Sequence, residues 1–127
     1  SKPVKLDIDN IDPSHFVDDD GKHYIVTAPG VTLTPVSDNC EKIIGDTVTV
    51  WEGNGERCPE GPHIFRKDGY YYAIVASGGT GYGHGSIAAR SRSLYREADT
   101  ESLSKRRTDN GGACTSAEEE TAAITPL

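Results

Sequence analysis

No apolar run in this chain of 127 residues approaches the ~20 residues that a membrane-crossing helix needs. The opening SKPVKLDIDN carries no signal-peptide core. A soluble protein is expected, with secreted and cytoplasmic locations both open. Cations are scarce as well, with 13 Lys and Arg against 20 Asp and Glu and a formal net charge of −7. Nucleic acids and anionic membranes need clustered Lys and Arg, so neither is expected as a partner, whereas neutral ligands stay open. Oligomeric state is not legible. Cysteine is sparse: Cys40, Cys58 and Cys114 lie far apart, form no CxxC pair and are odd in number. That pattern predicts neither a zinc site nor a disulfide framework. A Cys40 to Cys58 bridge and unpaired thiols remain as alternatives, and the redox compartment is left undecided.

What the chain does have is an internal echo. DPSHFVDDDGKHYIVTAPG, residues 12–30, can be laid without a gap on EGPHIFRKDGYYYAIVASG, residues 60–78, at an offset of 48. Asp12 falls on Glu60, His15 on His63, Asp20-Gly21 on Asp68-Gly69, Tyr24 on Tyr72 and Gly30 on Gly78. Each copy reads as a short strand, an Asp-Gly turn in which Gly supplies positive φ, and a longer strand rich in Tyr, Ile and Val. A repeat of ~40 to 50 residues built this way points to β-propeller blades, which stack radially because none can bury its own faces.

The pattern predicts strands over 14–17, 22–28, 31–36 and 46–51, one four-stranded blade, and then over 63–66, 70–76 and 86–91, with no fourth strand for the second unit. The expected fold is all-β: a lead over 1–11, a blade over 12–59, an incomplete blade over 60–94, and a tail over 95–127. After Tyr95 the chain has no aromatic residue and few large aliphatics. Such composition cannot offset its ordering entropy, so a disordered tail is expected, with a short helix over 116–124 as the competing reading.

Four strings, IDPSHFVDDDGKHYIV, VWEGNGERCPEGPHIF, KDGYYYAIVASGGTGYGH and IAARSRSL, give residues 11–94 a resemblance to family 43 glycoside hydrolases, especially the β-xylosidase and α-L-arabinofuranosidase branch. The resemblance implies a five-bladed propeller with its active site at one end of the central channel, of which this chain holds about two blades. It implies inverting, exo-acting hydrolysis of xylosides or arabinofuranosides, with xylo- or arabino-oligosaccharides or aryl glycosides as substrates. Glu60 of EGPH matches the general acid, and Asp12 of IDPS matches the aspartate that tunes the acid's pKa and orients it. A structural calcium in the channel belongs to the same resemblance, but no ligands for it are found here, and no cofactor or metal is expected of this chain.

Elementary chemistry agrees with those roles. Two carboxylates brought together in a partly desolvated cleft cannot both ionise cheaply, so one pKa rises and that group becomes a proton donor. A second carboxylate ~6.5 to 9.5 Å away would activate water from the opposite face. The competing reading is that each acid merely caps the turn ahead of its strand. DDDG, residues 18–21, looks like a calcium loop but lacks its spacing and its later Glu; a turn with solvated charges is the expectation. GGTGYGHG, residues 78–85, has no Lys and does not lead from a strand into a helix, so it is no nucleotide loop. By the resemblance it borders the active-site mouth, making Tyr82 and His84 candidate sugar contacts, with Arg57 a third. Trp51 is expected in the blade core.

The pattern also departs from the family. The general base there is an aspartate well ahead of the IDPS motif, and Asp7 and Asp9 lie too close to Asp12 to occupy another blade. Five blades need on the order of 200 to 250 residues. A fragment without its base, and so inactive alone, is therefore expected. A non-catalytic sugar-binding piece and a structural propeller module are the alternatives.

Overall fold

The computed structural model describes residues 2–95 together with strand positions 101–102, 106–107 and 122–123. Every regular element among them is a strand. The first sheet has the order β1 (Ile11–Val17), β2 (His23–Ala28), β3 (Val31–Val36), β4 (Val48–Trp51), all antiparallel. The second repeats that order with β5 (Glu60–Lys67), β6 (Tyr70–Ser77), β7 (Gly85–Ser91) and the two-residue β8 (Glu101–Ser102). A short pair, β9 (Arg106–Arg107) with β10 (Ala122–Ala123), forms a two-stranded sheet of its own. β8 occupies the fourth place for which the sequence shows no strand pattern. Tyr95, the first residue of the expected tail, sits edge-on to Tyr24 with ring centroids 6.3 Å apart. The rest of the tail, the three short strands apart, lies outside the described residues.

Alternation builds the core. Strand side chains point to opposite faces in turn, so Tyr24 and Val26 of β2 share a face with Phe16 of β1, and all three are buried. That face, with Leu33 and Trp51, packs on Val75, Ile87 and Ala89 of the second sheet, and Ile64, Tyr71 and Ala73 pack against this cluster. Burying a Val, Leu or Ile side chain contributes about 1.5–3 kcal/mol, and Val26, Leu33, Val75 and Ile87 are each 0% exposed. On the opposite face of β2, Ile25 and Thr27 line a pocket together with Val4, Leu6 and Ile8 of the lead, and Asn10 Nδ2 donates to Thr27 Oγ1 at 3.0 Å.

The two Asp-Gly turns are not the same turn. Asp68 and Gly69 both have positive φ, 51° and 81°, and Lys67 pairs directly with Tyr70, the two-residue mirror-image turn that suits twisted hairpins. In the first sheet the Asp18 amide donates to the Lys22 carbonyl at 2.9 Å and Gly21 alone carries positive φ, 83°, so three residues form the loop. The first hairpin is thus one residue longer. Ile11 pairs with Ala28 and Glu60 with Ala76, which makes Ile11, not Asp12, the register equivalent of Glu60. The gapless alignment of Asp12 on Glu60 is corrected by one position.

The acidic turn does more than face solvent. Tyr71 Oη donates to Asp18 Oδ2 at 2.8 Å and to Oδ1 at 3.0 Å, and Arg66 Nε meets Asp19 Oδ2 at 2.6 Å while its guanidinium lies 4.4 Å from the Tyr71 ring centroid. Both contacts cross from one sheet to the other. Burial, then the hydrogen bond to Asp18 and its charge, push the Tyr71 phenol up to about 12. A raised folded-state value means that this contribution is intact below the ordinary tyrosine range near 10 and is lost as pH rises through about 12. Tyr71→Phe is expected to lower stability by about 1–2 kcal/mol at neutral pH, measured by urea unfolding, and to weaken the loss of stability above pH ~10. An unchanged midpoint would show that the bond contributes nothing.

Candidate active site

Both sheets break register at their first strand. β1 is irregular between Ile11 and Ser14, and β5 between Glu60 and His63. An extra residue in one strand leaves the ladder locally unpaired and re-aims a side chain, which is why bulges gather beside functional sites. Asp12 takes up its bulge with φ 53°, a left-handed conformation that costs a non-glycine residue about 1–3 kcal/mol. In β5 the same conformation falls on Gly61, φ 59°, one residue after Glu60. The two carboxylates therefore lie within strands, at bulges, and do not cap turns ahead of them.

β1 and β5 run side by side and are stitched at this end. The Gly61 amide donates to Asp12 Oδ2 at 3.1 Å, and Ser14 Oγ donates to the Pro62 carbonyl at 2.6 Å. Asp12 is thereby bound to the residue that follows Glu60. Asp12 is exposed and Glu60 half-buried.

The loops at the same end are tied together by backbone bonds. The Gly30 amide donates to the Pro59 carbonyl at 2.8 Å and the Gly78 amide to the Arg57 carbonyl at 2.7 Å. Gly30 and Gly78, matched in the repeat, thus hold the segment leading into Glu60 from both sheets. Neither tolerates a side chain: a Cβ at Gly78, φ 85°, would lie 2.1 Å from the Gly83 carbonyl oxygen, and one at Gly30, φ 64°, 2.5 Å from that of Trp51. The loop over 78–84 leaves β6 beside Ala76, the partner of Glu60. It carries Tyr82, fully exposed, and His84, whose Nδ1 donates to the Gly79 carbonyl at 2.7 Å. Asp12, Arg57, Glu60, Tyr82 and His84 all stand at one end of the two sheets.

Comparison with known proteins agrees with this architecture. The profile described as Glycosyl hydrolases family 43 matches residues 1–116. The chain belongs to glycosyl hydrolase family 43. A xylosidase/arabinosidase of Butyrivibrio fibrisolvens is 36% identical over 113 residues, covering 76% of this chain and 22% of that protein. A β-xylosidase of Bacillus subtilis is 33% identical over 105 residues, covering 74% and 20%. In structure, the GH43 BlXynB protein of Bacillus licheniformis superimposes with a TM-score of 0.76 at 55% identity over 81% of this chain and 20% of that one. The chain spans about a fifth of the length of these relatives, and its two four-stranded sheets are part of a family 43 propeller.

Within this family 43 chain, Trp51 is buried in the core as expected, 5% exposed. The cysteines differ from expectation. Cys40 is free and Cys58 is disulfide-bonded, so the two are not joined to each other and Cys58 is not an unpaired thiol. Among the described residues no helix is long and apolar enough to cross a membrane.

One acid beside the site escapes sequence reasoning. Glu56 is 8% exposed in the loop before β5, its Oε2 accepting the Asn54 amide at 2.5 Å while Oε1 has no hydrogen-bond partner. The room is made by Gly53, whose φ is 90° and whose Cβ, if present, would overlap that carboxylate. The sequence signal was the glycine pair in EGNGE, which reads equally well as an ordinary turn. Burial pushes the Glu56 carboxyl above its ordinary value of 4.5. The folded state therefore favours the protonated form, and stability from this group is present below pH 4.5 and lost as pH rises through the elevated value. Glu56→Gln is expected to raise the unfolding midpoint at pH 7 and to flatten the decline between acid and neutral pH. A variant less stable than the parent at pH 7 would contradict this account.

Proposed function

We propose that this chain supplies the acid side of the catalytic centre of a glycoside hydrolase that cleaves xylosidic or arabinofuranosidic bonds with inversion. The observation that carries the reading is the hydrogen bond from the Gly61 amide to the Asp12 carboxylate, which ties two carboxylate-bearing bulges together at one end of neighbouring sheets. Family membership and the names of the xylosidase/arabinosidase and β-xylosidase relatives support the substrate class.

In this reading Glu60 protonates the departing glycosidic oxygen. Asp12, fixed by Gly61, positions the acid. An attacking water needs a second carboxylate as base, ~6.5–9.5 Å from the acid across the scissile bond, and that group comes from a part of the protein outside these two sheets. Arg57 and the Tyr82 and His84 loop border the same end, where an aromatic face suits sugar C–H surfaces and imidazole bonds hydroxyls. The 127 residues alone are accordingly nearly inactive.

Leaving-group dependence tests the assignment of the acid. In a longer protein that contains the remaining blades, Glu60→Gln should lower kcat on xylobiose or an alkyl xyloside by ~10²–10⁴. A dinitrophenyl xyloside, whose leaving group needs no proton, should be much less affected. An equal loss on both substrates, or no loss, would remove Glu60 from the role of acid. Enzyme-like turnover by the isolated chain would refute the external base.

A further inference from the structure

Three donor side chains meet on the face of the first sheet that turns away from the second. His15 of β1 and His23 of β2 stand at diagonal positions of the ladder, since His15 pairs with Ile25 and His23 with Val17. Their rings stack with centroids 5.0 Å apart, and His15 Nε2 lies 2.9 Å from His23 Nδ1. Cys40 reaches the same point from the turn after β3. The Cys40 amide donates to the Ser37 carbonyl at 2.7 Å and the residue is left-handed, φ 57°, which brings its Sγ to 3.6 Å from both imidazole nitrogens.

We propose that His15, His23 and Cys40 form a binding site for Zn²⁺. Zinc bonds imidazole nitrogen at about 2.0–2.1 Å and thiolate sulfur at about 2.3 Å in tetrahedral geometry, which puts nitrogen and sulfur about 3.6 Å apart and two nitrogens about 3.3 Å apart. Both observed nitrogen–sulfur separations meet that value. The nitrogen pair has to open by only a few tenths of an ångström from 2.9 Å. Imidazole and thiolate donors select zinc over Ca²⁺ and Mg²⁺, which take oxygen ligands. His15 is exposed, so a water can complete the fourth position.

The repeat does not account for the cluster. By ladder register His15, opposite Ile25, matches Ile64, opposite Ala73, and His23 matches Tyr71, so the second blade repeats neither imidazole. A bound ion would join three segments. It would clip the loop between β3 and β4, where residues 41–47 are exposed, onto the outer face of β1 and β2. Zinc would thereby add a cross-link between β1, β2 and that loop beyond the strand ladder.

The test uses the 127-residue chain, with its fold checked by circular dichroism. Titration with Zn²⁺ against a chromophoric chelator should show one equivalent bound, and Co²⁺ in its place should give a thiolate-to-metal charge-transfer band. Cys40→Ser should abolish the band and weaken zinc binding at least about tenfold, although Cys58 and Cys114 are kept. His15→Gln, at an exposed position, should weaken binding similarly without disturbing the core. Zinc should also slow tryptic cleavage after Lys42 in the parent and not in either variant. No saturable binding by the folded chain, or a charge-transfer band that survives Cys40→Ser, would leave only a pair of hydrogen-bonded imidazoles beside a thiol and overturn the proposal.

Discussion

Neither sheet can bury both of its faces alone, and the structure depends on the contact by which each covers one face of the other. Val26 and Leu33 on one side and Val75 and Ile87 on the other are removed from water entirely, each contributing about 1.5–3 kcal/mol. The hydrogen bonds between the sheets contribute about 1 kcal/mol apiece. Apolar burial therefore holds the sheets together, and the polar bonds decide where one stops sliding on the other. Asp12 to Gly61 and Ser14 to Pro62 set the position at one end of β1 and β5, Asp18 to Tyr71 and Asp19 to Arg66 at the other.

The candidate site inherits that position. Glu60 and Asp12 belong to different sheets, so their relation is a property of the interface and of neither blade alone. The bulges refine it. A one-residue slip in a strand turns its side chains to the other face, and the two hairpins differ by one residue because one closes with Asp68-Gly69 and the other with the longer acidic turn. Asp12 thus takes the left-handed place itself, while in β5 that place passes to Gly61 and Glu60 stays one step earlier. Two carboxylates that align in sequence are in this way given different backbones.

The second sheet presents its other face outward. Phe65 stacks on Tyr72 at 5.1 Å with rings nearly parallel, and Phe65 remains 39% exposed. In a family 43 propeller each blade covers the next, and this aromatic pair stands where the first sheet's Phe16 and Tyr24 meet their neighbour.

The strands and their order were legible in the sequence, because period-two alternation, Asp-Gly turns and the 48-residue echo are local or self-referential signals. Strand positions 31–36 and 70–76 needed almost no adjustment, and Asp12 and Glu60 stood out through their motifs. What stayed hidden involves partners distant in the chain. The starts of β1 and β5 were missed by three residues because a bulge interrupts the alternation that marks a strand. Asp18 and Asp19 read as solvated because their partners lie on the other sheet. Glu56 read as a turn residue because burial of a loop acid is not written in its neighbours. The His15, His23 and Cys40 cluster has no metal-motif spacing, since its donors come from three segments that only the β1–β2–β3 ladder and the left-handed turn at Cys40 bring within 3.6 Å. Local patterning by itself determined which residues become strands; the packing of sheet on sheet, which acts over long sequence separations, decided which of their side chains meet.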